Sequence, residues 1–208
     1  ISEYDQPRND CDIDSPDGDG DCPAGQDPDG WMGCLTSDLW EFNGTSWRLL
    51  DAGLGGGATR PKPRDRSRMV YDPQSQTVLL FGGRSGVEDC EGSGNAFCGA
   101  LWSWDGHRWQ EIEPGDGNGP GGISGPGLTY DPGLGRLLLY GGDYLPDGSG
   151  DGLHCRSGLL PTSDDTCMQG SLWEYQIDSG WRQLQADWEP EPVRPEPRHY
   201  QSMVYDEA

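Results

Sequence analysis

Basic residues are scarce in this chain. Lysine and arginine together number 14 against 36 aspartates and glutamates, a formal net charge of −22 over 208 residues. Nucleic acids and anionic membrane surfaces are held by clustered cations, so neither is an expected partner. Long hydrophobic runs are also missing. None approaches the ~18 residues that a membrane-spanning helix needs, so no membrane span is expected. No signal peptide is present, which by itself says nothing about secretion. Histidine occurs only as His107, His154 and His199, and none stands beside a recognisable nucleophile motif. Gly-x-Ser-x-Gly and phosphate-loop patterns are absent, and no catalytic residue is assigned. Apolar residues reach only 32%, with a mean hydropathy of −0.78. Such a balance leans toward disorder unless the apolar residues are concentrated in short segments.

They are concentrated, and the segments recur. Met69-Val70-Tyr71-Asp72 returns as Leu128-Thr129-Tyr130-Asp131 and as Met203-Val204-Tyr205-Asp206. Leu79-Leu80-Phe81-Gly82-Gly83 returns as Leu138-Leu139-Tyr140-Gly141-Gly142. Leu39-Trp40, Leu101-Trp102 and Leu172-Trp173 are each followed by a second aromatic strand beginning at Trp47, Trp109 and Trp181. A phrase repeated in this way is the mark of a repeat architecture. One unit reads as four strands: Met69 to Asp72, Val78 to Phe81, Leu101 to Trp104 and Trp109 to Ile112. Asn43-Gly44 and Asp105-Gly106 are hairpin turns, because both positions favour positive φ. No apolar helical period is sustained, so the fold class is all-β.

Tyr71, Tyr130 and Tyr205 lie 59 and 75 residues apart. The length variation falls between the glycine pair and the Leu-Trp strand, which places the inserts on one rim of the assembly. The order Pro-Arg-x-x-x-x-Met-Val-Tyr-Asp (63–72 and 197–206), Leu-Leu-Phe-Gly-Gly, Leu-Trp and a later Trp resembles the kelch repeat of β-propellers, including the central domain of galactose oxidase. The resemblance implies a propeller segment of two full four-stranded blades plus partial blades at both ends, each unit a blade of ~50 residues plus an insert. The expected boundaries are an acidic cysteine-bearing insert over 1–38 and the last two strands of a partial blade over 39–50. A blade with insert 84–100 follows over 51–112, and a second with insert 143–171 over 113–184. A linker and the first strand of the next blade close the chain over 185–208. The middle unit has Ser124-Gly125-Pro126-Gly127 where the others carry Pro-Arg, so a looser first strand is expected there. The repeated tryptophans are read as packing residues between blades. Since a propeller needs four to eight blades to close, the chain is expected to be a segment of a longer polypeptide.

Each insert holds a cysteine pair: Cys22 and Cys34, Cys90 and Cys98, Cys155 and Cys167. Without Cys-x-x-Cys or His-rich spacing these read as local disulfides in an oxidising compartment, extracellular, cell-surface or periplasmic. Cys11 is left over, either for a cysteine elsewhere or as a rival partner of Cys22. Zinc competes as a reading, but tetrahedral zinc sites use closer pairs.

Asp10, Asp12, Asp14, Asp17, Asp19 and Asp21 crowd into a Gly-punctuated stretch. Such a stretch can turn several hard oxygens toward one Ca²⁺ ion. The Asp17-x-Asp19-x-Asp21 core resembles calcium loops of EF-hands and thrombospondin type 3 repeats, although Cys22 stands where an EF-hand has glycine. Asp12, Asp14, Asp17, Asp19 and Asp21 are the candidate ligands. Asp147 and Asp151 are candidates in the third insert, where Asp164 or Asp165 would have to complete the set. No organic cofactor is expected. Asn43-Gly44-Thr45 also fits the N-glycosylation pattern, but the hairpin turn accounts for it.

The sequence thus reads as a non-enzymatic extracellular binding or assembly module, whose calcium-ordered rim loops contact a protein or glycan partner while its blades contact the remaining blades of the same polypeptide. The alternative is part of a secreted galactose-oxidase-like or glycan-processing enzyme with its catalytic residues outside this segment. Copper would need clustered His and Tyr ligands, which this stretch does not offer.

Overall fold

The computed structural model describes residues 26–28, 34–53, 59–86, 90–145, 160–161, 166–186 and 194–206. Among them every regular element is a strand, and every pairing is antiparallel. In chain order these are β1 (Gln26–Pro28), β2 (Cys34–Thr36), β3 (Leu39–Phe42), β4 (Trp47–Asp51), β5 (Arg68–Asp72), β6 (Thr77–Phe81), β7 (Leu101–Trp104) and β8 (Trp109–Glu113). Then come β9 (Gly127–Asp131), β10 (Arg136–Tyr140), β11 (Asp143–Tyr144), β12 (Leu160–Pro161), β13 (Cys167–Met168), β14 (Leu172–Gln176) and β15 (Gly180–Gln185).

Two four-stranded meanders form the body, ordered β5-β6-β7-β8 and β9-β10-β14-β15. β3 and β4 form a separate hairpin that matches β7-β8 and β14-β15. The register slips at the same place in all three hairpins, between Leu39 and Trp40, Leu101 and Trp102, and Leu172 and Trp173. A bulge there sharpens the local twist of each outer hairpin. Within the third insert, β11, β13 and β12 make a small three-stranded sheet.

The alternating side chains bury two faces. One cluster joins Leu79, Phe81 and Leu101 of the first meander to Leu128, Leu137 and Tyr175 of the second. The other packs Leu39 and Leu50 of the β3-β4 hairpin on Trp102, Trp104 and Trp109. Each unit therefore presents its aromatic face to the unit before it in sequence. The expectation that the tryptophans are packing residues fits Trp102 (1% exposed) but not the hairpin, where Trp40 is 45% and Trp47 is 67% exposed. Among the described residues no sheet covers that face of the hairpin.

Repeated polar contacts join successive units. The phenol of Tyr130 lies beside the carboxylate of Asp72 in the preceding unit and that of Tyr175 beside Glu113, close enough for each carboxylate to help raise the phenol's pKa. The Tyr-Asp pair thus joins the first meander to the second through Asp72 and Tyr130. Main-chain bonds do the same at the other end of the strands. Gly83 N donates to Ile123 O at 2.8 Å, and Gly142 N donates to Arg198 O at 2.8 Å. Both glycine pairs have positive φ, and a Cβ on Gly82 or Gly141 would lie 2.6 or 2.5 Å from the carbonyl of Ile123 or Arg198.

A third series runs through Arg66, Gly125 and Tyr200, which share left-handed φ values of 58°, 63° and 57°. Gly125 N donates to Arg66 O (3.0 Å) and Tyr200 N donates to Gly125 O (2.8 Å). This corrects the expectation of a looser middle unit. The position requires positive φ, which glycine adopts without strain, and β9 is buried along its whole length. The segment expected as a first strand at Met203–Asp206 carries no strand ladder in the described residues. It reaches the second meander instead through Tyr200 N and through Gln201 Nε2, which donates to Tyr140 O at 2.6 Å.

Candidate functional site

The start of β5 and the end of β6 lie side by side, so everything attached to them shares one rim. Asp65 and Arg84 exchange main-chain bonds of 3.0 and 2.9 Å across that rim, and Ser124 and Asp143 do so in the next unit at 2.9 and 2.8 Å. Arg84 and Asp143, which follow the two glycine pairs, each sit at one of these bridges.

Within the second insert Cys90 and Cys98 are bonded. The loop is tied to both units, because Cys98 N donates to Gly83 O (2.9 Å) and Ile123 N donates to Cys98 O (3.3 Å). Next to the disulfide, Glu91 turns its carboxylate into the body of the protein. Its Oε1 accepts from the Arg64 guanidinium and from Lys62 N (3.1 Å). Both side chains are almost wholly buried. Burial lowers the Arg64 pKa while Glu91 opposes that shift. Glu91 Oε2 is buried without a hydrogen-bond partner, so the pair is only half satisfied, an arrangement that tends to cost more than it returns. Glu111 lies near enough that burial, and then the charge of Glu91, raises its carboxyl pKa.

At the junction with the C-terminal segment, His199 Nδ1 stands 2.5 Å from Asp143 Oδ2. The imidazole also stacks at 4.2 Å on Tyr200, whose ring carries the Arg66 guanidinium 5.5 Å from its centre. Nothing in the sequence around His199 marks an acidic partner for it. Asp143 is 56 residues away, and only the repeat offset between positions 124 and 199 would have pointed to it. His107 sits in the β7-β8 turn, where Asp105 caps the backbone.

A groove of about 660 Å³ lies between the β3-β4 hairpin and β7-β8, lined by residues that include Asp51, Arg60, Trp104, His107 and Glu111. Its tryptophans belong to the core cluster and offer little surface for stacking, so it is a crevice between units and carries no assigned ligand.

The candidate calcium ligands Asp12, Asp14, Asp17, Asp19, Asp21, Asp147 and Asp151 lie outside the described residues, as do Cys22 and Cys155. Cys34 falls in β2, and Cys167 is disulfide-bonded. Among the described residues the group of ligand-type side chains close enough to share an ion is Cys90, Glu91 and Cys98, and the disulfide already consumes both sulfurs. The chain matches no protein-family model and no curated protein sequence.

Proposed function

We propose that the chain is a section of a kelch-type β-propeller that serves as a non-enzymatic extracellular binding or assembly module, with the insert rim as its contact surface. The observation that carries this reading is the second insert. A disulfide, a buried ion pair and main-chain bonds to two successive units hold a polar loop rigid above their junction, which preorganises it for contact. The wheel-like arrangement is supported by the repeated bonds from each unit to the next. It is supported as well by the uncovered aromatic face of the β3-β4 hairpin, whose counterparts in the next unit are buried. Disulfides fit an oxidising, extracellular compartment. In this reading Ca²⁺ orders the Asp-rich inserts and a protein or glycan engages the rim.

Binding to protein and glycan arrays tests it. Replacing residues 85–97 with a short Gly-Ser bridge, with Cys98→Ser and Arg64→Leu to remove the charge that Glu91 would leave unpaired, should abolish binding while the two meanders keep their β-sheet circular dichroism and a cooperative unfolding transition, at a Tm lowered by the loss of the disulfide. Binding that survives the replacement, or copper-dependent oxidase turnover by the intact protein, overturns the reading. Calorimetric titration checks the metal: no heat on adding Ca²⁺ at millimolar concentration rejects the calcium site.

A further inference from the structure

The contact between successive units has two halves. One is the ring-bearing face of an outer hairpin: Trp102, Trp104 and Trp109 in one unit, Tyr175 and Trp181 in the next. The other is a pair of aliphatic side chains beside the register slip of the hairpin before it: Leu39 and Leu50, then Leu101 and Ile112. By ladder register each half occurs once more, and among the described residues no neighbouring unit fills it. Trp40, Phe42 and Trp47 stand at the places of Trp102, Trp104 and Trp109. They are 45%, 52% and 67% exposed, where their counterparts are 1%, 5% and 9%. At the opposite end of the molecule, Leu172 and Leu184 stand at the places of Leu101 and Ile112, and both are only half-buried. The third hairpin copies the first in charge as well. Glu41 faces Arg48 across the first ladder and Glu174 faces Arg182 across the third, each as an ion pair.

We propose that Trp40, Phe42 and Trp47 of one copy pack on Leu172, Leu184 and the Glu174–Arg182 pair of a second copy, so that the protein associates head to tail. The occupant is a second copy because the chain carries both halves of a contact that it already makes twice. The hairpin with Leu39, Leu50 and a Glu-Arg pair receives a ring-bearing hairpin within the molecule, and the third hairpin offers the same combination unfilled. Large rings contribute most of their stabilisation on leaving water, and a cluster of exposed ones marks an interaction surface. The charge of −22 on each copy opposes association, but at physiological salt that repulsion is screened beyond about 8 Å. A head-to-tail contact leaves one half free at each end of the pair, so further copies can add to it. The insert rim takes no part, so a strictly monomeric chain would leave the rim reading standing, and failed array binding would leave this contact standing.

Sedimentation velocity of the intact chain, from micromolar to submillimolar concentration, should show species heavier than 22.7 kDa. Their share should grow as NaCl rises, since salt screens the repulsion without weakening apolar contact. Trp47→Glu removes the ring-bearing half and Leu184→Glu the receiving half. Each alone should weaken self-association about thirtyfold or more, the loss typical of a central anchor in an interface. An equimolar mixture of the two variants keeps one intact half on each copy, so it should restore a dimer and nothing larger. That rescue separates a lost contact from a lost fold, because an unfolded variant has no half to offer. A chain that stays monomeric throughout, or a mixture that fails to pair, overturns the proposal. A Leu184→Glu variant that associates as the parent does also overturns it, and would mean that two ring-bearing faces meet each other.

Discussion

Gly142 has a φ of 98°, and a Cβ there would lie 2.3 Å from Ile123 Cγ2 and 2.9 Å from Ser124 O. Gly106 has a similar φ of 93° but open space around it. The two separate backbone strain from crowding. Gly106→Ala should cost about 1 kcal/mol, whereas Gly142→Ala should cost about 3 kcal/mol and lower the Tm several degrees further. Equal losses in thermal unfolding would show that crowding at the unit junction contributes nothing. The inter-unit tyrosines make a prediction about pH. Burial, then Glu113, pushes the Tyr175 phenol up to about 12, against about 10 in an unfolded chain. A raised acid pKa stabilises the fold fully below the unfolded value and loses that contribution as pH climbs through the folded one. The urea midpoint should therefore fall between pH 10 and 12, and Tyr175→Phe should make that decline shallower. Tyr130, raised by burial and by Asp72, acts in the same direction.

At the scale of elements, the insert over 84–100 depends on its crosslink. Replacing Cys90 and Cys98 by alanine should destabilise the chain by about 2–3 kcal/mol on the loop-entropy model and open the loop to proteolysis before the meanders unfold. Simultaneous cleavage of both regions would mean the disulfide does not define a separate unit of stability. The meanders themselves were legible in the sequence because Leu-Leu-Phe-Gly-Gly and Leu-Trp mark strand ends through glycine conformation and aromatic burial, both local properties. β5 begins one residue earlier than expected and β8 ends one residue later, at Arg68 and Glu113. The small sheet β11-β13-β12 was not foreseen, since two-residue strands leave no alternating pattern. The middle unit is firmer than expected because Ser124-Gly125, although it lacks the Pro-Arg motif of the other units, keeps the backbone geometry of the position. What recurs at positions 66, 125 and 200 is a left-handed backbone, which arginine and tyrosine hold under strain and glycine does not. The rim was legible as a place but not as chemistry: Glu91 meets Arg64 across 27 residues with no repeated counterpart to announce it.

For the whole molecule, 36 acidic residues against 14 basic ones make self-repulsion a general load on the folded state. Raising NaCl from about 0.02 to 0.5 M should lift the Tm as the Debye length contracts. Ca²⁺ at matched ionic strength should lift it further if it is bound specifically. A Ca²⁺ effect no greater than that of Na⁺ would reduce the acidic inserts to diffuse charge. The stitches from Arg66 to Gly125 to Tyr200 use only main-chain atoms, so the hydrogen bonds themselves need no particular side-chain chemistry, only a left-handed backbone at each place. Successive units stitched by their backbones in this way keep their spacing whatever is strung between the second and third strands of each. Loops of foreign sequence could then be grafted there, one after another, without retuning the frame that carries them.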